Sequence, residues 1–265
     1  MRRSLPSPLS PGHRVASGLA CSILATTDSL AAVRGPPAFF GQSVGGPLVI
    51  FDCNGVLVDS ERLAAAVASQ ELTRAGFALP PEVIGHYFTG RRPADMFAEI
   101  ERAARRKLPD NFAQTLTSAT LARFRQELRT TAHAAYALSW LRGPKCVASS
   151  SALDRVRLSL ETTDLIRFFD PYLFSAVDVA RGKPAPDLFL HAAARMDAEP
   201  SQCIVVEDSP VGVTAAIAAG MKAIGFVGGS HAGDQLSAQL REQGASIIIN
   251  DMRALKSTIV ELRGW

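Results

Sequence analysis

Cysteine is scarce in this 265-residue sequence, and its four copies are scattered. Cys21, Cys53, Cys146 and Cys203 show no metal-ligand spacing and no disulfide framework. Three of them sit in apolar, strand-like runs, where a small buried thiol is expected, and a reducing, cytoplasmic compartment fits. An excess of one charge is also missing. The net charge of +3 resides in residues 1–47, where Arg2, Arg3, Arg14 and Arg34 face only Asp28. The 24 basic and 24 acidic residues beyond them cancel, which excludes a broad basic field for nucleic acid. Long hydrophobic runs are lacking too. The mildly apolar stretch Val15 to Thr27 is broken by Ser and Gly, too short and too polar to span a membrane. No internal repeat occurs.

Residues 1–46 differ from the rest: Ser, Pro, Gly and Ala dominate and acids are almost absent. A disordered leader or a start assigned too far upstream is expected, and the basic-then-apolar order also has the broken outline of a signal peptide. The chain as a whole is 47% hydrophobic, ample for one large domain or a domain with an insertion.

The informative stretch is Leu48 to Ser60. Leu48-Val49-Ile50-Phe51 reads as a buried strand ending on Asp52. Asn54-Gly55 is a turn dipeptide, and Asp59 or Ser60 can cap a helix entered at Glu61. A capped βα turn explains this, and so does a reactive carboxylate at the carboxyl end of a strand. From Glu61 to about Leu141 the pattern is helical, with Gly76, Pro80-Pro81, the loop Phe88 to Pro93, and Pro109 as breaks.

The α/β pattern resumes after Gly143-Pro144. Lys145 to Ala148 is a predicted strand, and Ser149-Ser150-Ser151 precede a helix over Ala152 to Leu160. Those hydroxyls suit helix capping and equally an anion site. Tyr172 to Ser175 is a weaker strand, and the loop Arg181 to Asp187 carries Lys183 between Gly182 and Pro184. Cys203 to Val206 is a buried strand ending in Glu207-Asp208, two acids whose burial is costly without a cation. Ser209 or Asp208 can cap the helix that opens with Pro210 and closes at Gly220. Two more strands, Lys222 to Phe226 and Ser246 to Ile249, and a helix near Met252 to Leu262 complete the pattern.

Four of these segments, in this order and spacing, resemble the motifs of the haloacid dehalogenase-like superfamily. They are Asp52-Cys53-Asn54-Gly55-Val56-Leu57-Val58-Asp59-Ser60, Ser149, Gly182-Lys183-Pro184-Ala185-Pro186-Asp187, and Glu207-Asp208-Ser209 with Gly212. The resemblance covers about Leu48 to Gly228. It implies an α/β, Rossmann-like, doubly wound parallel sheet from residues 47–60 and 142–265, with residues 61–141 as an inserted helical cap. It implies a phosphatase of small phosphorylated metabolites, the string after Phe51 being especially close to sugar- and sugar-acid-phosphate phosphatases. Asp52 is then the nucleophile, and Ser149 and Lys183 contact the phosphoryl group. Asp52, the Asn54 carbonyl and Asp208 hold Mg²⁺ with Glu207 close by. Gly55, Ser150 and the cap-loop residues Gly90, Arg91 and Arg92 are expected at the substrate. A monomer or small homo-oligomer, without nucleic-acid or membrane partners, is expected.

One position departs from the motif. Asn54 stands where phosphatases carry a second Asp that protonates the leaving oxygen and then activates water. An amide does neither near neutral pH. Other branches that change this position fit less well. The cap's one Lys, Lys107, lies in a charged run rather than a Schiff-base setting, Arg62 to Ala65 offers no mutase-type His, and Glu207-Asp208 argues against a dehalogenase. Besides a working phosphatase, a weakened or substrate-trapping family member is therefore consistent with the sequence.

Overall fold

The computed structural model describes residues 46–88 and 92–263; the expected leader falls almost wholly outside them, as do Gly90 and Arg91. Six apolar runs form one parallel sheet: β1 (Leu48–Phe51), β2 (Lys145–Ser149), β3 (Leu173–Ser175), β4 (Cys203–Glu207), β5 (Lys222–Phe226) and β6 (Ile247–Ile249), in the order β3-β2-β1-β4-β5-β6. Each strand has apolar residues on both sides because both faces are covered. Val49, Phe51, Val147, Ile204 and Val206 enter one apolar cluster, while Leu48, Ile50, Cys146, Cys203 and Val205 enter the other. This period-2 alternation divides a three-layer α/β domain.

Helices α1 (Glu61–Arg74), α2 (Pro81–Phe88), α3 (Pro93–Ala104), α4 (Phe112–Glu127) and α5 (Ala134–Trp140) follow β1. The first four share a small core containing Leu72, Phe77, Ile84, Ile100, Phe112 and Leu116. The sequence reading assigns everything to residue 141 to the cap. In the fold, Phe124 and Leu128 of the α4 end, and Ala134, Leu138 and Leu141 around α5, pack instead in the cluster under the sheet. The helices form as their pattern predicts, but a helix's periodicity does not say which core its apolar face meets.

The remaining helices are α6 (Leu153–Thr162), α7 (Asp187–Arg195), α8 (Pro210–Ala218), α9 (Leu236–Glu242) and α10 (Leu255–Arg263). The sequence pattern does not predict α9; it is only seven residues long, and only Leu240 in it is buried. Among the described residues no helix is long and apolar enough to cross a membrane. The chain leaves β1 toward β2 and β3, then crosses back to β4, so the strand order reverses beside β1. Open α/β sheets place their sites at the carboxyl ends of strands at such a reversal.

Candidate active site

The register pairs Phe51 with Val147 on one side and Val206 on the other. It brings Asp52, Ser149, Glu207 and Asp208, at or just beyond the ends of these strands, to one edge of the sheet. All four are buried. The segment after β1 turns sharply: Gly55 has φ +74° and its N–H donates to the Val58 carbonyl at 2.7 Å. A Cβ on Gly55 would lie 1.9 Å from Asp208 Oδ2, so glycine is needed both for the turn and for the carboxylate's approach. Asp59, beyond the turn, does not face the site; its Oδ1 accepts from the Ser230 N–H and hydroxyl at 3.0 and 2.8 Å. Ser60 occupies the N-cap position of α1 without bonding its amides.

Lys183, in the loop between β3 and α7, has its ammonium against Asp52 Oδ1 and, at 2.5 Å, Glu207 Oε1. Burial works against the charge, but the two carboxylates overcompensate and hold the ammonium above its ordinary pKa. Burial pushes the Asp52 carboxyl well up, and nearby Glu207 and Asp208 add to this against Lys183. Burial likewise raises Asp208, to about 7. One ammonium faces three buried carboxyls, with the His231 imidazole 2.9 Å from Asp208.

Glu207 is expected close to a metal ion. Its oxygens are otherwise engaged: Oε1 with Lys183, Oε2 with the Ser209 N–H at 2.8 Å and hydroxyl at 2.9 Å. Ser209 Oγ in turn accepts from the Gly212 N–H at 3.1 Å, capping α8. Among the described residues no group of three His, Cys, Asp or Glu side chains converges on one point. Asp208 Oδ2 nevertheless lies sealed from solvent without a hydrogen bond. Two buried carboxylates, Asp52 and Asp208, the latter with an oxygen that accepts no hydrogen bond, fit a hard divalent cation such as Mg²⁺. Asp52, Asp208 and the Asn54 carbonyl remain the donors suited to it.

The serines after β2 do not cap α6: Ala152 takes the N-cap position with no side-chain bond. Ser149 Oγ accepts from the Ser151 N–H at 3.2 Å, and Ser151 Oγ accepts from Asn54 Nδ2 at 2.9 Å. No serine hydroxyl bonds the first-turn amides of α6, though the Arg155 N–H is taken by Asp154 Oδ1 at 2.7 Å, so the anion-site alternative rests on the amides before it.

A cavity of about 200 Å³ runs from Asp52, Asn54 and Asp208 past Ser150 and Ser151 into the cap. Arg92 lines it, with Nε on Asp95 at 3.2 Å and its stem against Gly182 beside Lys183. Two residues at the site escape the sequence reading. Arg155, in the first turn of α6, lines the cavity with its Nε sealed from solvent. His231 lies in the loop after β5, Nε2 2.9 Å from Asp208 Oδ2 but out of line for a hydrogen bond. Only proximity to a strand end signals either one, and many inert residues share that signal.

Comparison with known proteins agrees with this geometry. Residues 47–220 match the family model of haloacid dehalogenase-like hydrolases. A 6-phosphogluconate phosphatase of Escherichia coli is 32% identical over 184 residues, 69% of this chain and 83% of that protein. A haloacid dehalogenase-like protein of unknown function from Agrobacterium tumefaciens superposes with a TM-score of 0.72 at 36% identity, over 83% of this chain and all of the other. A haloacid dehalogenase-family hydrolase from Deinococcus radiodurans, solved with phosphate and sodium, gives 0.65 at 30% identity, over 82% and 96% of the two chains. Fold, matched residues and relatives agree: this chain belongs to the haloacid dehalogenase-like hydrolases and is a phosphoric monoester hydrolase among them.

Proposed function

We propose that the chain hydrolyses the phosphate ester of a small metabolite, of the sugar or sugar-acid kind, through a phosphorylated Asp52. The observation that carries this reading is the contact of Asp52 with Lys183 at the edge where Ser149 and Asp208 meet. The relatives' names, a phosphogluconate phosphatase among them, and the phosphate held by a structural neighbour support it.

An Asp52 oxygen attacks phosphorus and the ester P–O bond breaks; the leaving alkoxide takes its proton from water, since Asn54 supplies none. Water then attacks the phosphorylated Asp52, breaking its P–O bond and releasing inorganic phosphate. Lys183 is held by Glu207 at the height of Asp52 and offsets charge on the phosphoryl oxygens, as do the Ser149 hydroxyl and the first-turn amides of α6. Asp52, Asp208 and the Asn54 carbonyl would hold Mg²⁺, which when bound would supply further positive charge there. The cap excludes water and reads the leaving group; Arg92, which lines the cavity, supports this, and Gly90 and Arg91 precede it in the sequence. Free, buried Cys53, Cys146 and Cys203 suit a cytoplasmic setting.

Asn54 favours a second reading. Its amide donates to Ser151 and does not titrate near neutral pH, so phosphate binding with slow turnover is the alternative. Phosphate release with Mg²⁺ across a set of sugar phosphates separates the two. Asn54→Asp is expected to raise turnover by about 10²–10⁴-fold, roughly 3–5 kcal/mol of barrier, with little change in substrate affinity. Asp52→Asn is expected to be inactive in either background. No gain over an already competent parent would place proton transfer on another group; two inactive proteins would leave the binding reading.

A further inference from the structure

The cavity over Asp52 contains a cation that the site's own acids leave unpaired. Its two lining arginines differ: Arg92 is bonded to Asp95, whereas Arg155 makes no ion pair among the described residues. The Arg155 guanidinium lies over the Phe124 ring of α4, 4.9 Å from its centroid, and its Nε has no partner and no solvent. Asp52 and Glu61 act on it only through space, and burial draws its pKa below the ordinary value for arginine without discharging it. A half-buried guanidinium with a sealed, unbonded Nε and no ion pair is a group suited to a partner that arrives in the cavity. The cap wall beyond it is largely apolar, with Ala68, Ile84, Met96 and Leu116, and Thr117 and Thr120 of α4 add neutral hydroxyls but no cation.

We propose that Arg155 is a specificity-determining residue that binds a second acidic group, a carboxylate, on the leaving alcohol of the phosphate ester. This rests on the phosphatase reading above. The phosphoryl end already has Lys183, Ser149 and the first turn of α6. Arg155 stands one helical turn past Ser151, and its guanidinium is turned toward α4, on the leaving-group side. Its planar fork matches a carboxylate in two parallel hydrogen bonds. Glu61, which also lines the cavity, keeps a second anion away from its own side.

The test uses matched esters differing by one carboxylate: 6-phosphogluconate against sorbitol 6-phosphate, and glycerate 3-phosphate against glycerol 3-phosphate. In the intact chain, Arg155→Met should raise KM for the acid member of at least one pair tenfold or more, with kcat within about threefold. KM for its neutral partner should change less than threefold. Arg155→Lys keeps the charge but loses the fork, and should show the same selectivity at smaller size; it serves if the Met variant fails to fold. Equal losses on acid and neutral esters overturn the proposal, because Arg155 then reads the phosphoryl group or only supports the fold. No loss on any ester overturns it as well. If the parent hydrolyses none of the four, the phosphatase reading has failed separately, and the same esters are titrated calorimetrically against the intact parent and Arg155→Met. Tighter binding of an acid member that the substitution erases upholds the carboxylate site; equal binding of both members refutes it.

Discussion

Gly212 shows how single atoms decide this site. It sits in the first turn of α8, where an added Cβ would come within 1.9 Å of Glu207 Oε1 and 2.0 Å of its Cδ. Glycine inside a helix ordinarily weakens it by about 0.5–1 kcal/mol relative to alanine, so Gly→Ala usually helps. Here the sign reverses. Gly212→Ala must displace the carboxylate that holds Lys183 and accepts from Ser209, an overpacking cost of about 1–3 kcal/mol. Denaturant midpoints should fall and phosphate release should fall with them; a midpoint that rises would show that Glu207 moves aside freely. Asn54 belongs to the same scale. Its substitution changes the proton chemistry, yet its side chain keeps a partner in Ser151, and the fold tolerates it.

Among the elements, α4 joins the two cores. Phe112 and Leu116 near its start lie in the cap cluster, and Phe124 near its end lies fully buried in the cluster under the sheet. Phe124 also forms the surface on which Arg155 rests. Phe124→Ala should therefore cost about 3–5 kcal/mol, the usual range for emptying an aromatic site in a core. Equilibrium denaturation would measure this; a loss below about 1 kcal/mol would mean that α4 is not anchored there. The turn after β1 is braced separately. Thr131, between α4 and α5, donates its hydroxyl to the Val56 carbonyl at 2.6 Å, and Asp59 accepts from Ser230. Two separate segments thus brace the loop that presents Asp52.

For the whole molecule the electrostatic feature at issue is the crowding of Asp52, Glu207 and Asp208, with Lys183 against the first two. On the proposed reading, Mg²⁺ binds the folded state only and relieves this crowding. At about 100 times its Kd it should add about 2.7 kcal/mol, several degrees in Tm for a domain of this size. Asp208→Ala should abolish the rise, because it removes the orphaned oxygen. A thermal shift that persists in Asp208→Ala would move the cation elsewhere in the chain.

The sequence by itself determined the strands and their reactive ends. Runs buried on both faces, such as Leu48–Phe51 and Cys203–Glu207, carry their burial in their composition. The Asn54-Gly55 turn, Pro210 opening a helix and Ser209 capping it are local chemistry, readable within four residues. Tertiary structure alone decided which partners the polar groups took. Asn54 bonds to a residue 97 positions away, and Lys183 reaches Asp52 across 131. Glu207 bonds Lys183 and Ser209, and Ser149 and Ser151 bond each other and Asn54 rather than capping α6. The Arg155 guanidinium found a ring but no acid, and the α4 end and α5 joined the sheet's core rather than the cap's. Periodicity specifies which face of an element is apolar, and capping rules specify neighbours along the chain. Which distant group meets that face or that carboxylate depends on strand register and helix packing, set by every element together.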